Sequence, residues 1–223
     1  EMAILSRTGR LIGQITSPAT KNIELSLTQF KRYDDNEFKM SISKNIVKGK
    51  IRNSVQFLRS FSYNHPDVLL SEEIEAMESV RRNVDSQAAQ DSLNGVEGIA
   101  ARHYFSGLGK MMLGAFGFDG RRKRPAPDPV NALLSLGYTL VFNEISSLLD
   151  GMGFDPYLGY YHKVDYGRAS LASDLQEEFR APIVDRLTLR LINNKMLSEG
   201  DFYKNPKGDG VYLTRDAMKR YFA

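Results

Sequence analysis

The 223-residue sequence has no cysteine, no tryptophan and only three histidines, and neither sign of charge dominates it: 30 Lys+Arg stand against 27 Asp+Glu, a formal net charge of +3. Without cysteine, disulfides, thiolate metal sites and cysteine nucleophiles are excluded, which suits a reducing compartment. A balance this close excludes a histone-like polycation, so any attraction for polyanions has to come from local grouping of charge. No run approaches the roughly 18 uncharged apolar residues that mark a membrane span, and the N-terminus lacks the basic, apolar and small-residue regions of a signal peptide. The expectation is a soluble, cytoplasmic protein with no membrane partner. With 42% hydrophobic and 26% charged residues and only 8 prolines, the chain has the composition of a globular protein rather than of a disordered, collagen-like or rod-shaped one. It opens at Glu1 rather than at a methionine and is read as part of a longer polypeptide.

Met2 to Ile15 mixes short apolar groups with Gly9 and Gly13, a pattern for two short strands about a turn. Two strands cannot bury a face of their own, so they are expected to complete a sheet whose other strands lie elsewhere. After Ser17-Pro18 the pattern turns helical. Apolar residues recur at helical spacing at Ile23, Leu27 and Phe30, and again from Phe38 through Ile42, Ile46, Val47, Ile51, Val55 and Leu58. A helix from near Pro66 carries Glu72, Glu73, Glu75 and Glu78 early and Arg81 and Arg82 late, matching its dipole. Another is expected from about Ser86 to Gly107, then a glycine- and proline-rich loop, Gly114 to Pro129, containing Arg121-Arg122-Lys123-Arg124. Asp128-Pro129 opens a helix that is apolar on nearly every side from Val130 to Leu149, which makes it central and buried. The last long helix, Leu171 to about Met196, shows a core stripe of Leu171, Leu175, Phe179, Ile183, Leu187 and Leu191 with a kink at Pro182. A hairpin around Gly208-Asp209-Gly210 and a short helix follow. The fold class is mainly α: a helical catalytic domain, 18–223, preceded by the last strands of an incomplete N-terminal β-rich domain and a hinge, 1–17.

Three features depart from a plain helical bundle. Asp174, Glu177, Glu178 and Asp185 share the last long helix, and the (i, i+3) and (i, i+4) pairs they form repel. A solvated acidic face near a helix N-terminus accounts for them by spacing alone; a divalent cation would turn the repulsion into attraction. Glu97 lies mid-helix between Gly95 and Gly98, each costing about 1 kcal/mol relative to alanine, so either close helix packing or close approach of a ligand is implied. His162 stands in a tyrosine-rich turn shortly before the carboxylates. One imidazole with carboxylates suits Mg²⁺ or Mn²⁺ better than structural zinc. On the Val130–Leu149 helix, Asn131, Ser135, Thr139 and Asn143 form a polar stripe, serving either helix–helix hydrogen bonds or the wall of a site. From Lys39 to Phe61 there are six basic residues and no acidic one, and Lys44, Lys48 and Arg52 share a face that reads either as solvated or as tracking phosphates.

Four ordered blocks carry a resemblance. They are Asn45 to Asn53 (NIVKGKIRN), Gly95 to Phe105 (GVEGIAARHYF), Arg124 to Ser135 running on to Gly137-Tyr138 (RPAPDPVNALLS), and His162 through Gly167 to Arg180 (GRASLASDLQEEFR). Together they resemble the CRISPR-associated integrase family. Ala126 stands where a second proline is common in the Arg-Pro-Pro run, and Ala169 where proline commonly precedes Ser170; neither removes a ligand. The resemblance implies a metal held by Glu97, His162 and Glu177, with Asp174 as an outer-shell group or alternate ligand at the same catalytic site. It implies a metal-dependent DNA integrase and endonuclease in which a 3′-hydroxyl of incoming spacer DNA attacks a phosphodiester at the repeat boundary, with Mg²⁺ or Mn²⁺ as cofactor. DNA-backbone contacts are expected at Lys44, Lys48, Arg52, Arg102, Arg121, Arg122 and Arg124. The implied partners are double-stranded or branched DNA, a second copy of the chain, and a small second Cas protein bridging two dimers; an upstream fused domain such as a reverse transcriptase also fits. The alternative is a non-catalytic helical DNA-binding or assembly subunit with the same fold.

Overall fold

The computed structural model describes residues 2–6, 11–15, 22–114, 116–122, 125–205, 208 and 210–222. Arg124 and the expected hinge after Ile15 fall outside them. The chain is mainly α, as its apolar spacing predicts. Strands β1 (Met2–Leu5) and β2 (Leu11–Ile15) pair antiparallel, Met2 opposite Ile15, with a register irregularity between Ile4 and Leu5. Helices α1 (Ile23–Asp34) and α2 (Asn36–Asn64) follow, separated at Asp35, whose carboxylate accepts the Phe38 N–H at 3.0 Å and so starts α2 afresh. Helices α3 (Ser71–Arg82) and α4 (Gln90–Lys110) begin later than their composition suggests, because the chain around Pro66 and Ser86 is taken up by turns. Helix α5 (Pro129–Met152) starts as expected, with Asp128 accepting the Asn131 N–H at 2.8 Å and Pro129 in the first turn; Gly153, at φ 90°, closes it. Helix α6 (Ser170–Phe179) passes through a π-helical turn, Arg180–Asp185, into α7 (Arg186–Asn193). The hairpin of β3 (Phe202–Lys204) and β4 (Val211–Leu213) and the terminal α8 (Arg215–Tyr221) end the fold.

Helix α2 is the scaffold against which α3, α4 and α6 pack. Its Val47, Ile51, Val55 and Leu58 join Met77, Leu93, Leu108, Leu133, Leu134, Leu191 and Ile192 in one continuous core. Helix α5 is long and apolar enough to cross a bilayer by length and composition alone, contrary to the expectation that no segment is. Half of that stretch is packed inside the protein, and Leu133 and Leu134 are fully buried in the core.

The stripe expected along α6 and α7 is overturned. Leu171 and Leu191 are buried at its ends, but Leu175, Phe179 and Ile183 are 38%, 43% and 47% exposed. Steps of four residues drift by about 40° each on an α-helix of 3.6 residues per turn, so residues twenty apart cannot share a face. The face that packs inward carries Asp174, Gln176, Glu177, Ala181, Val184, Asp185 and Thr188. The solvated acidic face is therefore also corrected: Asp174 and Asp185 are 0% exposed and Glu177 4%.

Candidate active site

Buried carboxylates need partners, and those of α6 find them on distant elements. Asp174 accepts the backbone N–H groups of Tyr160 (2.6 Å), Tyr161 (2.9 Å) and His162 (2.8 Å), and its Oδ1 lies 2.8 Å from His162 Nδ1. This folds the 160–162 turn over the start of α6 and fixes the imidazole. A proton on Nδ1, donated to Asp174, leaves Nε2 as the free lone pair, and Nε2 points at Glu177 Oε1, 3.9 Å away. Gly159 permits the approach, since a Cβ there would meet the Ser170 backbone at 2.6 Å.

Glu177 and Glu97 of α4 are joined by a residue that the sequence reading passed over. The Lys50 ammonium contacts Glu177 Oε2 at 2.5 Å and pairs closely with Glu97 Oε1. Arg180, on the first residue of the π turn, reaches Glu177 Oε1 at 3.1 Å. Burial alone would raise the Glu177 carboxyl, but Lys50 and Arg180 overcome it and hold the group at about 2. Burial disfavours the Lys50 ammonium in turn, and the Glu177 and Glu97 charges more than offset it, so its pKa is raised. Lys50 was legible in outline: Lys44, Lys48 and Arg52 lie on one side of α2, whereas Lys50 falls with Val47, Ile51 and Ser54 on the buried side. Its neighbour Gly49 brings α2 against α6, where a Cβ would stand 2.8 Å from the Glu178 carboxyl.

Glu97, His162, Glu177 and Asp174 are thus brought together by three segments far apart in sequence. As they stand, no three His, Asp or Glu side chains among the described residues form a ready-made metal cluster, because Lys50 holds the space between the two glutamates. Gly95 and Gly98 meet nothing within 4 Å, so helix packing does not account for them and the surface beside Glu97 is open. A cavity of about 910 Å³ leads from Glu97, Lys50 and Glu177 to Arg102, Arg121 and Tyr138.

Two residues of the polar stripe on α5, Asn131 and Ser135, hold Arg121, which lines that cavity, while Thr139 donates back to the Ser135 carbonyl of its own helix. Asn131 Oδ1 accepts from Arg121 Nη1 (2.9 Å) and the Arg122 N–H (2.8 Å), and Ser135 accepts from Arg121 Nη2 (3.0 Å). Arg121 and Arg180 both lie against the Tyr138 ring, 5.3 and 4.8 Å from its centroid. The Nε atoms of both guanidinium groups are buried without a hydrogen-bond partner. Below them Tyr104 and Tyr138 donate hydroxyl hydrogen bonds of 2.5 and 2.6 Å to Asp185, whose burial lifts its pKa to about 6 against those bonds. Of the expected DNA contacts, Arg52, Arg102 and Arg122 are exposed, while Lys44 donates to the Asp85 carbonyl (2.8 Å) and Lys48 pairs with the Asp85 carboxylate (2.7 Å).

The family model for CRISPR associated protein Cas1 matches residues 1–223, the whole chain. The chain belongs to the Cas1 family. A Cas1 relative named CRISPR-associated endonuclease Cas1 3, from Thermus thermophilus, is 38% identical over 198 residues, covering 89% of this chain and 57% of the relative. One from Mycobacterium tuberculosis is 34% identical over 219 residues, 98% of this chain and 64% of its own length. The chain therefore spans less than two thirds of the length of each of these two relatives. Among solved structures, a partial Cas6-RT-Cas1–Cas2 complex superposes with a TM-score of 0.84 at 32% identity, covering 99% of this chain and 67% of that one.

Proposed function

We propose that this chain carries the catalytic centre of a metal-dependent DNA strand transferase and endonuclease that inserts spacer DNA into a CRISPR repeat array. The observation that carries the reading is the meeting of Glu97 and Glu177 at the Lys50 ammonium, with His162 Nε2 3.9 Å from Glu177 Oε1, beside an open helix surface and a cavity edged with arginines. The donor set fits a hard divalent ion. Two carboxylates and one imidazole oriented by Asp174 match Mg²⁺ or Mn²⁺, and the Lys50 ammonium shows that the glutamates converge on positive charge. Glu97, His162 and Glu177 would hold that ion, which when bound polarises a phosphoryl oxygen and supports the attacking and leaving oxygens.

The protein's own residues do the rest. Asp174 keeps His162 in one tautomer and one orientation, and Arg180 holds Glu177 in place. Arg102 and Arg121 offer positive charge along the cavity for backbone phosphates, and the unspent Nε–H groups of Arg121 and Arg180 add donors. In strand transfer, a new P–O bond forms from the incoming 3′-hydroxyl as the old P–O3′ bond breaks. The proton lost by the attacking hydroxyl is matched by one gained on the leaving 3′-oxygen. Water in the place of the hydroxyl gives hydrolysis with the same groups. No side chain here needs to form a covalent intermediate.

The likeness to a Cas6-RT-Cas1–Cas2 complex supports the second small Cas protein as a partner and a reverse-transcriptase fusion as a context for such a chain. Pairing of two copies belongs to the same proposal. A gel assay with branched and repeat-containing DNA tests the reading. Strand transfer is expected with Mn²⁺, to disappear with EDTA, and to fall at least about 100-fold in Glu97→Ala. Equal transfer by wild type and Glu97→Ala would remove the proposed centre, and no transfer by either would leave a non-catalytic DNA-binding subunit.

A further inference from the structure

Among the described residues, Lys50 is the cation that pairs with both Glu97 and Glu177. It rises from the buried side of α2, next to the fully buried Ile51, and its ammonium touches both glutamates of the proposed centre. Within this cluster Glu97 and Glu177 face Lys50 and Arg180, so two negative charges meet two positive ones and the group is neutral. A divalent ion entering between the same carboxylates confronts a like charge in contact with both of its oxygen ligands, in surroundings where charge is poorly screened.

We infer that Lys50 is a positioning residue that acts as an internal counter-cation: it holds Glu97 and Glu177 together and competes with the divalent ion for them, so its displacement sets metal affinity. The inference rests on the metal-site reading above. Three consequences follow from the charges. Removing the ammonium leaves the two carboxylates repelling each other, which loosens the fold until an ion replaces it. Removing it also strips the ion of its competitor. An arginine at the same position keeps the competition, because its charge is permanent.

Mn²⁺ titration monitored by electron paramagnetic resonance of the free ion tests this directly, using wild type, Lys50→Met and Lys50→Arg. Lys50→Met is expected to bind Mn²⁺ at least about ten-fold tighter than wild type, and Lys50→Arg to stay near wild type, as loss or retention of one contacting like charge requires. In EDTA, Lys50→Met is expected to melt lower than wild type and to recover more on adding Mn²⁺. Should that variant fold poorly, the wild type suffices. Acetic anhydride labelling read by mass spectrometry is expected to modify Lys50 slowly in EDTA and several-fold faster with saturating Mn²⁺. Equal or weaker Mn²⁺ binding by Lys50→Met, or Lys50 labelling indifferent to Mn²⁺, overturns the inference while the metal site stands. Binding of Mn²⁺ by neither protein overturns the metal-site reading, and this inference with it.

Discussion

At the scale of single residues, the carboxylates of α6 divide by what surrounds them. Asp174 has both oxygens committed to three backbone N–H groups and one imidazole nitrogen, which suits it to orient His162 in the proposed centre. Asp174→Asn replaces an acceptor-only side chain by one that presents an NH₂ to those N–H groups. It is expected to cost about 2–4 kcal/mol of stability and to weaken Mn²⁺ binding about 10–100-fold, read by urea unfolding and ion titration. Asp185 behaves differently, because its burial outweighs the two phenol hydrogen bonds and the charges of Arg180 and Arg121, and its pKa rises to about 6 from the usual 3.8. In the folded protein it therefore holds its proton over a range where the unfolded chain has lost it. Between about pH 4 and 6 the native state binds more protons than the unfolded state, so this group makes stability fall as pH rises, by on the order of 3 kcal/mol, and adds nothing further above pH 6. Urea unfolding of wild type and Asp185→Asn from pH 4 to 7 checks it: the wild-type curve should descend relative to the variant across that window and run parallel above it.

At the scale of elements, close approaches decide where the site forms. Gly159 lets the 156–162 turn lie on the N-terminus of α6, where the Leu171 N–H also reaches the Pro156 carbonyl at 2.9 Å. Gly159→Ala pushes a methyl into backbone that cannot swing aside, so about 1–3 kcal/mol of stability should be lost. Strand transfer should fall as well, since the same turn carries His162; thermal unfolding and the gel assay report the two effects separately. The cost of misjudging one element is plain in α6 and α7. Helix existence, the helix start at Asp128-Pro129, the central α5 and the closing hairpin were all legible, because they depend on local chemistry and apolar spacing. The direction of α6 was not, since a run of leucines at intervals of four resembles a face without being one, and the π turn at Arg180–Asp185 further shifts the phase. Carboxylates are ordinarily solvated, so Asp174, Glu177 and Asp185 read as surface until the 160–162 turn, Lys50 and the two tyrosines, from other segments, and Arg180 on the same helical run supply the compensation. The family resemblance named Glu97, His162 and Glu177 but not Lys50, whose one signal was helical spacing, which sets it on the buried side of α2 with Val47, Ile51 and Ser54.

At the scale of the whole molecule, a net charge of +3 conceals cations in two different states. Lys48 is tied to Asp85 at 2.7 Å and Lys44 to the same residue's carbonyl, whereas Arg52, Arg102 and Arg122 are exposed and make no ion pair among the described residues. An exposed pair such as Lys48–Asp85 contributes about 0–1 kcal/mol, so it is easily exchanged for a phosphate, yet the exchange leaves Asp85 facing the DNA as an uncompensated negative charge. Counterion release then distinguishes the two groups. In binding to branched DNA measured across a salt series, Arg52→Ala, Arg102→Ala and Arg122→Ala are each expected to flatten the dependence of log K on log salt by about 0.9, while Lys48→Ala flattens it less. Asp85→Ala, which frees two lysines and deletes a repulsive charge, is expected to tighten binding and steepen the slope. Slopes unchanged in all three arginine variants would return this face to ordinary solvated surface. Tighter binding by Asp85→Ala would locate the DNA along α2, on the side of that helix opposite Lys50 and the carboxylates it holds.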